Sequence, residues 1–306
     1  MTNEPLPMGA IHVKGSSKAK DLFELTKPRI TFFVLITAFV GFVLGLRGPL
    51  ASMDVALLFH TLCGVALVAS GTSAFNQLWE RDLDKRMART ANRPLPAGRL
   101  TPAEAFALSA TLSVLGVLQL FVFVNALTAL LAALTLTSYV LVYTPLKTRS
   151  TLSTLVGAVP GALPPLGGFT AAHGSIEAPG LALFAMLFLW QMPHFFAIGW
   201  RHRKDYGEAG MRILATADPS GRSTGRQSFA YCVSLLPVSL LPTFLGSAGY
   251  VYGAGALLLS GVFLASGARF LERTNDAEAK RLFLASIAWL PAVLLLLVLD
   301  RIVIVN

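Results

Sequence analysis

The chain is short of charge. Only 13% of its 306 residues are Asp, Glu, Lys or Arg, against roughly 25% in a typical soluble domain. A soluble fold of this size could not cover its surface with so few charges, and apolar patches would remain exposed. That shortage excludes a cytosolic enzyme, and the high apolar content excludes a disordered chain. Cysteine is scarce as well. Cys63 and Cys232 lie far apart in apolar runs, without CxxC or Cys/His spacing. A disulfide-built secreted domain is therefore excluded, and both residues read as buried thiols. Acidic residues are the rarer sign: 16 against 25 basic, for a net charge of +9. Such an excess has three candidate partners, namely nucleic acid, anionic lipid or a phosphorylated substrate.

What the chain has is apolar sequence. Hydrophobic residues make up 54% and mean hydropathy is +0.64, so the remaining solvent for this surface is the lipid bilayer. A hydrocarbon core about 30 Å thick takes roughly 20 apolar residues per helix. Nine stretches fit, at about 30–46, 55–78, 102–124, 126–143, 151–172, 178–200, 227–245, 249–268 and 282–300. The intervals between them are mostly too short for a second folded unit. The expectation is one all-α polytopic domain over 28–306, preceded by a flexible cytoplasmic tail over 1–27.

The basic residues orient these spans. Five lie before or at the start of span 1, and the loops after spans 2, 4, 6 and 8 hold six, two, six and four. Only Arg47 and Arg301 fall on the opposite side, a division of 23 to 2. Because Lys and Arg collect in cytoplasmic loops, the N terminus is expected inside and the C terminus outside. Residues 1–27 carry four lysines but no arginine and no apolar core. They resemble neither a cleaved signal peptide nor a mitochondrial transit sequence. Span 5 contains Pro160, Pro164 and Pro165 among Gly157, Gly161, Gly167 and Gly168. Small residues four apart permit close helix contact, and three prolines are expected to break regular helix. Kinked packing and a cavity lined by freed carbonyls are both open readings.

The acidic residues mark where chemistry belongs. Asn76, Glu80 and Asp84 recur every four residues at the end of span 2. On a helix each such step turns about 400°, so the three drift about 40° per step and share one face. Two carboxylates and an amide offer hard oxygen ligands that suit Mg²⁺, which completes its shell with water and phosphate. The plain alternative is a solvated helix end laced by pairs such as Asp82–Arg86. Asn76 counts against it, because it still lies inside the apolar span. After span 6, His202, Asp205 and Glu208 are spaced by three, again near one face and on the same side. Two acidic helices converging on one site could hold a metal–diphosphate, balanced by Arg89, Arg93, Lys147 and Arg149. Acid and base beside an apolar bundle imply a substrate with an ionised head and a lipid tail. His194, near the cytoplasmic end of span 6, reads either as a helix–helix hydrogen-bonding residue or as a substrate contact.

The segment Asn76-x₃-Glu80-x₃-Asp84 resembles the first aspartate-rich motif of the UbiA-type intramembrane prenyltransferases, and the segment around Asp205 is similar to their second. Further segments resemble the haem-prenylating branch, the protohaem IX farnesyltransferases. They are Leu25-Thr-Lys27-Pro28-Arg29, Asn76-Gln77 with Arg89-Thr-x-x-Arg93-Pro94-Leu-Pro96, Tyr143-Thr144-Pro145-Leu146-Lys147, the Gly/Pro run of span 5, and Trp190-Gln191-Met192-Pro193-His194-Phe195-Phe196. The resemblance covers about residues 22–300. It implies nine helices around a central cavity, Mg²⁺-dependent ionisation of farnesyl diphosphate, and prenyl transfer to haem B to give haem O. It assigns Asn76, Glu80, Asp84 and Asp205, with Glu208 as an optional addition at the second motif, to Mg²⁺–diphosphate. It assigns Arg89, Arg93 and Lys147 to the leaving group, with Tyr143 nearby, and makes His194 a haem contact. It also implies a bacterial inner-membrane location and a haem A synthase as recipient. Glu80 stands where the wider family has Asp, and His202 and Tyr206 where it often has carboxylates.

Three other functions compete with this reading. Prenylation of an aromatic acid or quinone precursor is the nearest. A membrane transporter would place ionisable residues near the bilayer midplane, whereas these crowd one side. Nucleic acid is not expected as a partner, because topology already accounts for the basic loops.

Overall fold

The computed structural model describes residues 17–49 and 53–305, and every regular element among them is helical. In chain order these are α1 (Lys18–Leu25), α2 (Pro28–Gly45), α3 (Val55–Asp84), α4 (Pro102–Phe123) and α5 (Ala126–Thr137). A π-helical turn (Ser138–Tyr143) and α6 (Thr144–Leu146) continue α5. Then follow α7 (Ser153–His173), α8 (Ala178–Arg201), α9 (Arg203–Glu208), α10 (Leu214–Ala217), α11 (Arg222–Ser239), α12 (Leu241–Phe244), α13 (Tyr250–Glu272) and α14 (Asp276–Val305). Among the described residues, nine segments are long and apolar enough to cross a membrane, and they coincide with the nine expected spans. The protein is a multi-pass membrane protein.

Burial separates the nine into two kinds. Of the α7 span 61% is buried, and of α2 and α8 50%, whereas α4 and the α5–α6 span reach only 22%. Helices α2, α7 and α8 therefore stand inside the bundle, and the others turn much of their surface to lipid. Close approach explains the α2–α7 contact. A Cβ on Gly41 would lie 1.9 Å from Pro165 O, and one on Gly168 the same distance from Ala38 O. Backbone meets backbone there, which only small residues allow. The other side of the bundle is a side-chain core of α8, α11, α13 and α14, including Met186, Leu235, Phe263, Phe270 and Trp289. Its polar atoms are used internally: Trp289 Nε1 donates to Ser260 Oγ (3.1 Å) and Tyr252 OH to Ser239 O (2.8 Å).

Two expectations need correction. The three prolines of span 5 do not interrupt it, and α7 runs unbroken from Ser153 to His173. Each proline removes one backbone donor, but a membrane helix tolerates this where neighbouring helices and local adjustment satisfy the freed carbonyls. Part of the expected flexible tail is helical instead. Residues 1–16 lie outside the described residues, but Lys18–Leu25 form a helix that docks on the bundle. Arg99 pairs with Asp21 (2.8 Å) and Glu24 (3.6 Å), Lys18 pairs with Glu104, and Gln77 Nε2 donates to Leu25 O (2.9 Å). Leu25 is fully buried. These partners lie far along the chain, so the local sequence carried no sign of them.

On the opposite rim the two isolated arginines cap helices. Arg47 Nη2 donates to His173 O at the end of α7 (3.0 Å). Arg301 Nε donates to Val43 O (3.0 Å), and its Nη2 to Leu46 O, at the end of α2. Helix C-termini leave carbonyls without intrahelical donors, and the arginines supply them.

Candidate active site

Helix α3 continues four residues past Glu80, so the acidic face belongs to the membrane helix itself. Asn76, Glu80 and Asp84 are 2%, 4% and 1% exposed, which rules out the solvated helix end. Asp82, on the other face, is exposed and pairs with Arg81 (3.6 Å) and Lys85 (3.4 Å). The three buried groups line one end of a cavity of about 770 Å³.

Each of the three has a basic partner from another segment. Lys147 Nζ is 2.6 Å from Glu80 Oε1, and Arg93 Nη1 is 2.8 Å from Asp84 Oδ2. Lys27 Nζ donates to Asn76 Oδ1 (2.9 Å), while Asn76 Nδ2 donates to Thr144 Oγ1 (3.2 Å). The loop that carries Arg93 is tied down by Thr90 Oγ1, which donates to Asp84 O (2.9 Å). Lys147 also sits 4.5 Å from the centre of the Tyr143 ring. The π-helical turn ends at Tyr143 and adds its extra residue beside the cavity, a common placement for such turns. Gly157 makes room for that ring: a Cβ there would lie 2.5 Å from it.

The charges shape one another. Burial works against a charged Lys147, but Tyr143, Glu80 and Tyr139 outweigh it and hold its pKa above the ordinary lysine value. For Lys27 burial dominates, followed by Arg93 and Lys147, and its pKa is lowered to about 7.

Beyond the polar end the cavity is walled by Leu131, Leu163, Leu187 and Ile287 and reaches Trp190, His194 and Phe195. His194 stacks between Trp190 (5.0 Å) and Phe283 (5.1 Å). Its Nδ1 lies 2.7 Å from Ser286 Oγ, and that hydroxyl lies 2.6 Å from Phe283 O. A carbonyl can only accept, so the serine proton is committed to Phe283 O. Nδ1 must then carry the histidine proton, leaving Nε2 as the acceptor of the ring.

The remaining candidates stand elsewhere. Asp205, Glu208, His202 and Arg149 are absent from the cavity lining. Glu208 and Arg149 are exposed, and Asp205 Oδ2 is 3.9 Å from His202 Nδ1. Burial, then Arg89 and Arg201, lowers the His202 pKa. Arg89 reaches the mouth and lies 6.0 Å from the ring of Tyr206, which does line the cavity. Among the described residues no three His, Cys, Asp or Glu side chains come together as a metal-binding group. The two acidic sets are therefore not joined here. Lys27 and Tyr206 are lining residues that spacing did not identify. Lys27 sat in view within Leu25-Thr-Lys27-Pro28-Arg29, but nothing local marked its side chain as inward.

This geometry has counterparts. The profile of the UbiA prenyltransferase family matches residues 34–290. The chain belongs to the UbiA prenyltransferase family. A relative from Solibacter usitatus named protoheme IX farnesyltransferase is 46% identical, over 92% of this chain and 99% of its own length. Among solved structures, digeranylgeranylglyceryl phosphate synthase superposes with a TM-score of 0.79 at 19% identity, covering 93% of this chain and 99% of that one. A UbiA homologue from Archaeoglobus fulgidus bound to DMAPP and Mg²⁺ gives 0.57 at 16% identity, covering 90% and 99%. At those identities the likeness is one of fold. The UbiA fold implies a divalent metal ion, and the first motif fits one. Glu80 and Asp84 are buried carboxylates on one face with the Asn76 amide oxygen, and Lys147 and Arg93 pair with one oxygen of each. Two carboxylates, each with a second oxygen beyond its ion pair, and an amide oxygen are a suitable partial shell for Mg²⁺.

Proposed function

We propose that the protein transfers a farnesyl group from farnesyl diphosphate to a vinyl group of haem B (protohaem IX), giving haem O. The observation that carries this reading is the single cavity. It joins a buried carboxylate–amide face ringed by cations to an apolar lumen and then to an aromatic-flanked histidine. The name borne by the Solibacter usitatus relative supports haem as acceptor, and the Archaeoglobus fulgidus homologue supports a prenyl diphosphate with Mg²⁺ as donor.

Asn76, Glu80 and Asp84 would hold the metal–diphosphate, and the metal, when bound, supplies charge neutralisation of the leaving group. Lys147, Arg93 and Arg89 face that group with donors fixed before reaction, the arrangement that stabilises developing charge best. The Tyr143 hydroxyl is a further donor at the same end. As the C1–oxygen bond of the donor breaks, diphosphate leaves with the electron pair and an allylic cation remains. The apolar walls keep water from that cation. The vinyl π pair of haem closes the new carbon–carbon bond, and one water adds to the resulting porphyrin-stabilised cation and loses a proton. The balance is haem B, farnesyl diphosphate and water in, haem O and diphosphate out. His194 would contact the haem. Asp205, with Glu208, would join the metal–diphosphate only if α9 moved inward. His202 and Arg149 would bind substrate on the same condition. A bacterial inner membrane with the N terminus cytoplasmic fits the 23-to-2 division, and a haem A synthase is the class of enzyme that would take the product.

The test is direct. Purified protein with Mg²⁺, farnesyl diphosphate and haem B is expected to yield a porphyrin with the mass of haem O, and chelation by EDTA is expected to stop it until Mg²⁺ is restored. Turnover of an aromatic acid in place of haem would overturn the acceptor assignment.

A further inference from the structure

We propose that Ser286 is a positioning residue for the acceptor, fixing the ring and tautomer of His194 so that Nε2 binds the iron of haem. This inference rests on the prenyl-transfer reading above.

Ser286 lies behind the site rather than in it. It is 0% exposed and does not line the cavity, whereas its neighbours Phe283, Ile287, Leu290 and Pro291 on α14 do. It carries the one hydroxyl in the apolar stretch from Phe283 to Leu299, and a polar group at such a depth needs partners. Both of its polar groups reach α8. Trp190 Nε1 donates to the Ser286 carbonyl (2.8 Å), and His194 Nδ1 lies 2.7 Å from the hydroxyl. Trp190 and His194 are four residues apart and share a face, so one residue of α14 fastens a whole turn of α8.

The serine decides where the protons go. Its Oγ donates its only proton to Phe283 O (2.6 Å), so toward the histidine it can only accept. Nδ1 bears the ring proton, and Nε2 keeps its lone pair and has no hydrogen-bond partner among the described residues. The relay from Nδ1–H through Oγ–H to the carbonyl polarises along its length and makes Nε2 a better electron-pair donor. The ring is also held in its plane. Trp190 and Phe283 stack on its two sides, at 24° and 29° to it. Turning the ring over would set a carbon against Ser286 Oγ and forfeit that bond.

A neutral imidazole with a free Nε2 and a tethered Nδ1–H is the form in which histidine binds a metal. Mg²⁺ prefers the oxygen ligands at the other end of the cavity. A propionate would meet the Nε2 lone pair with like charge, so the acceptor nitrogen favours iron over a carboxylate. Ligation would pin the macrocycle at its centre, among apolar walls, and leave the vinyl groups at its edge free to meet the prenyl donor.

The test compares the full chain with His194→Ala, Ser286→Ala and Ser286→Thr, each loaded with haem B. Haem affinity is measured by absorbance titration, the ferrous complexes by resonance Raman spectroscopy, and each fold by its melting temperature. The unaltered chain is expected to show an iron–histidine stretching band that His194→Ala lacks. Ser286→Ala is expected to move that band to lower frequency, because Nδ1–H has lost its acceptor. It is also expected to bind haem about tenfold more weakly, the lower end of the roughly 10–100-fold effect of removing a ligand's hydrogen-bond partner. Ser286→Thr keeps the hydroxyl and is expected to keep the band position, and the KM for farnesyl diphosphate is expected to stay unchanged throughout. A merely structural serine would lower the melting temperature and leave the band in place, and that result overturns the positioning role. Bound haem without an iron–histidine band, or a band that survives His194→Ala, overturns the ligation. Failure of the unaltered chain to bind haem at all overturns the haem-acceptor reading instead.

Discussion

Replacing Asp84 with Asn tests the acidic face with almost no change in shape. The carboxylate is 1% exposed and meets Arg93 Nη1 at 2.8 Å. Asparagine keeps an oxygen there but loses the charge. The pair is a charge-assisted hydrogen bond, worth roughly 1.5–3 kcal/mol net. The Arg93 side chain is 25% exposed and keeps some solvent, so the loss in stability belongs near the lower figure. The loss in activity is expected to be larger. Asp84 would act through the metal that neutralises the leaving group, and a preorganised electrostatic contact of that kind is worth about 2.7–4 kcal/mol, or roughly 10²–10³ in rate. Haem O formation by mass spectrometry and thermal melting of the same preparation measure the two separately. Adding Arg93→Gln to Asp84→Asn makes the pair neutral on both sides. Stability is then expected to recover in part, because no unpaired charge is left, while turnover stays lost. If Asp84→Asn turns over within tenfold of the unaltered chain, or the double variant regains activity, then Asp84 is a structural partner of Arg93 and the metal–diphosphate assignment is refuted.

Two further outcomes follow from the packing. Gly41→Ala and Gly168→Ala drive a methyl into facing backbone at 1.9 Å and are expected to cost about 1–3 kcal/mol by overpacking, visible as a lower melting temperature. Gly167, where a Cβ meets nothing within 4 Å, lines the cavity, so Gly167→Leu is expected to keep the fold and cut turnover; a loss of melting temperature equal to that of Gly41→Ala would contradict this. His194→Gln keeps a polar group near Ser286 but removes the ring acceptor. It is expected to raise the KM for haem about tenfold, roughly 1.4 kcal/mol, with the KM for farnesyl diphosphate unchanged. An equal rise in both would return His194 to a purely helix–helix role.

What could be read from the sequence is what lies within one helix. The nine spans are runs of apolar residues, and lipid imposes their length. The shared face of Asn76, Glu80 and Asp84 follows from a step of four, and Asn76 betrayed its inward position by being polar within an apolar run. Contacts between distant segments could not be read. Lys27 meets Asn76 from 49 residues away, and α1 docks through Arg99, 78 residues beyond Asp21. The same limit applies to the second acidic set. Spacing by three puts His202, Asp205 and Glu208 near one face of α9, but not against α3, and the chain keeps them outside the cavity lining. The prolines of α7 misled for a related reason, because local helix rules omit the support that α2 gives along that face.

The clamp of Arg301 on the end of α2 has a consequence for biogenesis. Its partner Val43 precedes it by 258 residues, so one of the earliest helices to enter the membrane is fastened only when the last has been made. Until then Val43 and Leu46 present carbonyls at the rim opposite the candidate site without that donor. A nascent chain stalled before α14 would therefore hold the whole acidic face and its basic partners, yet lack the fastening of Arg301 on the end of α2. Maturation of the cavity is in this sense a late event, timed by the C-terminal helix.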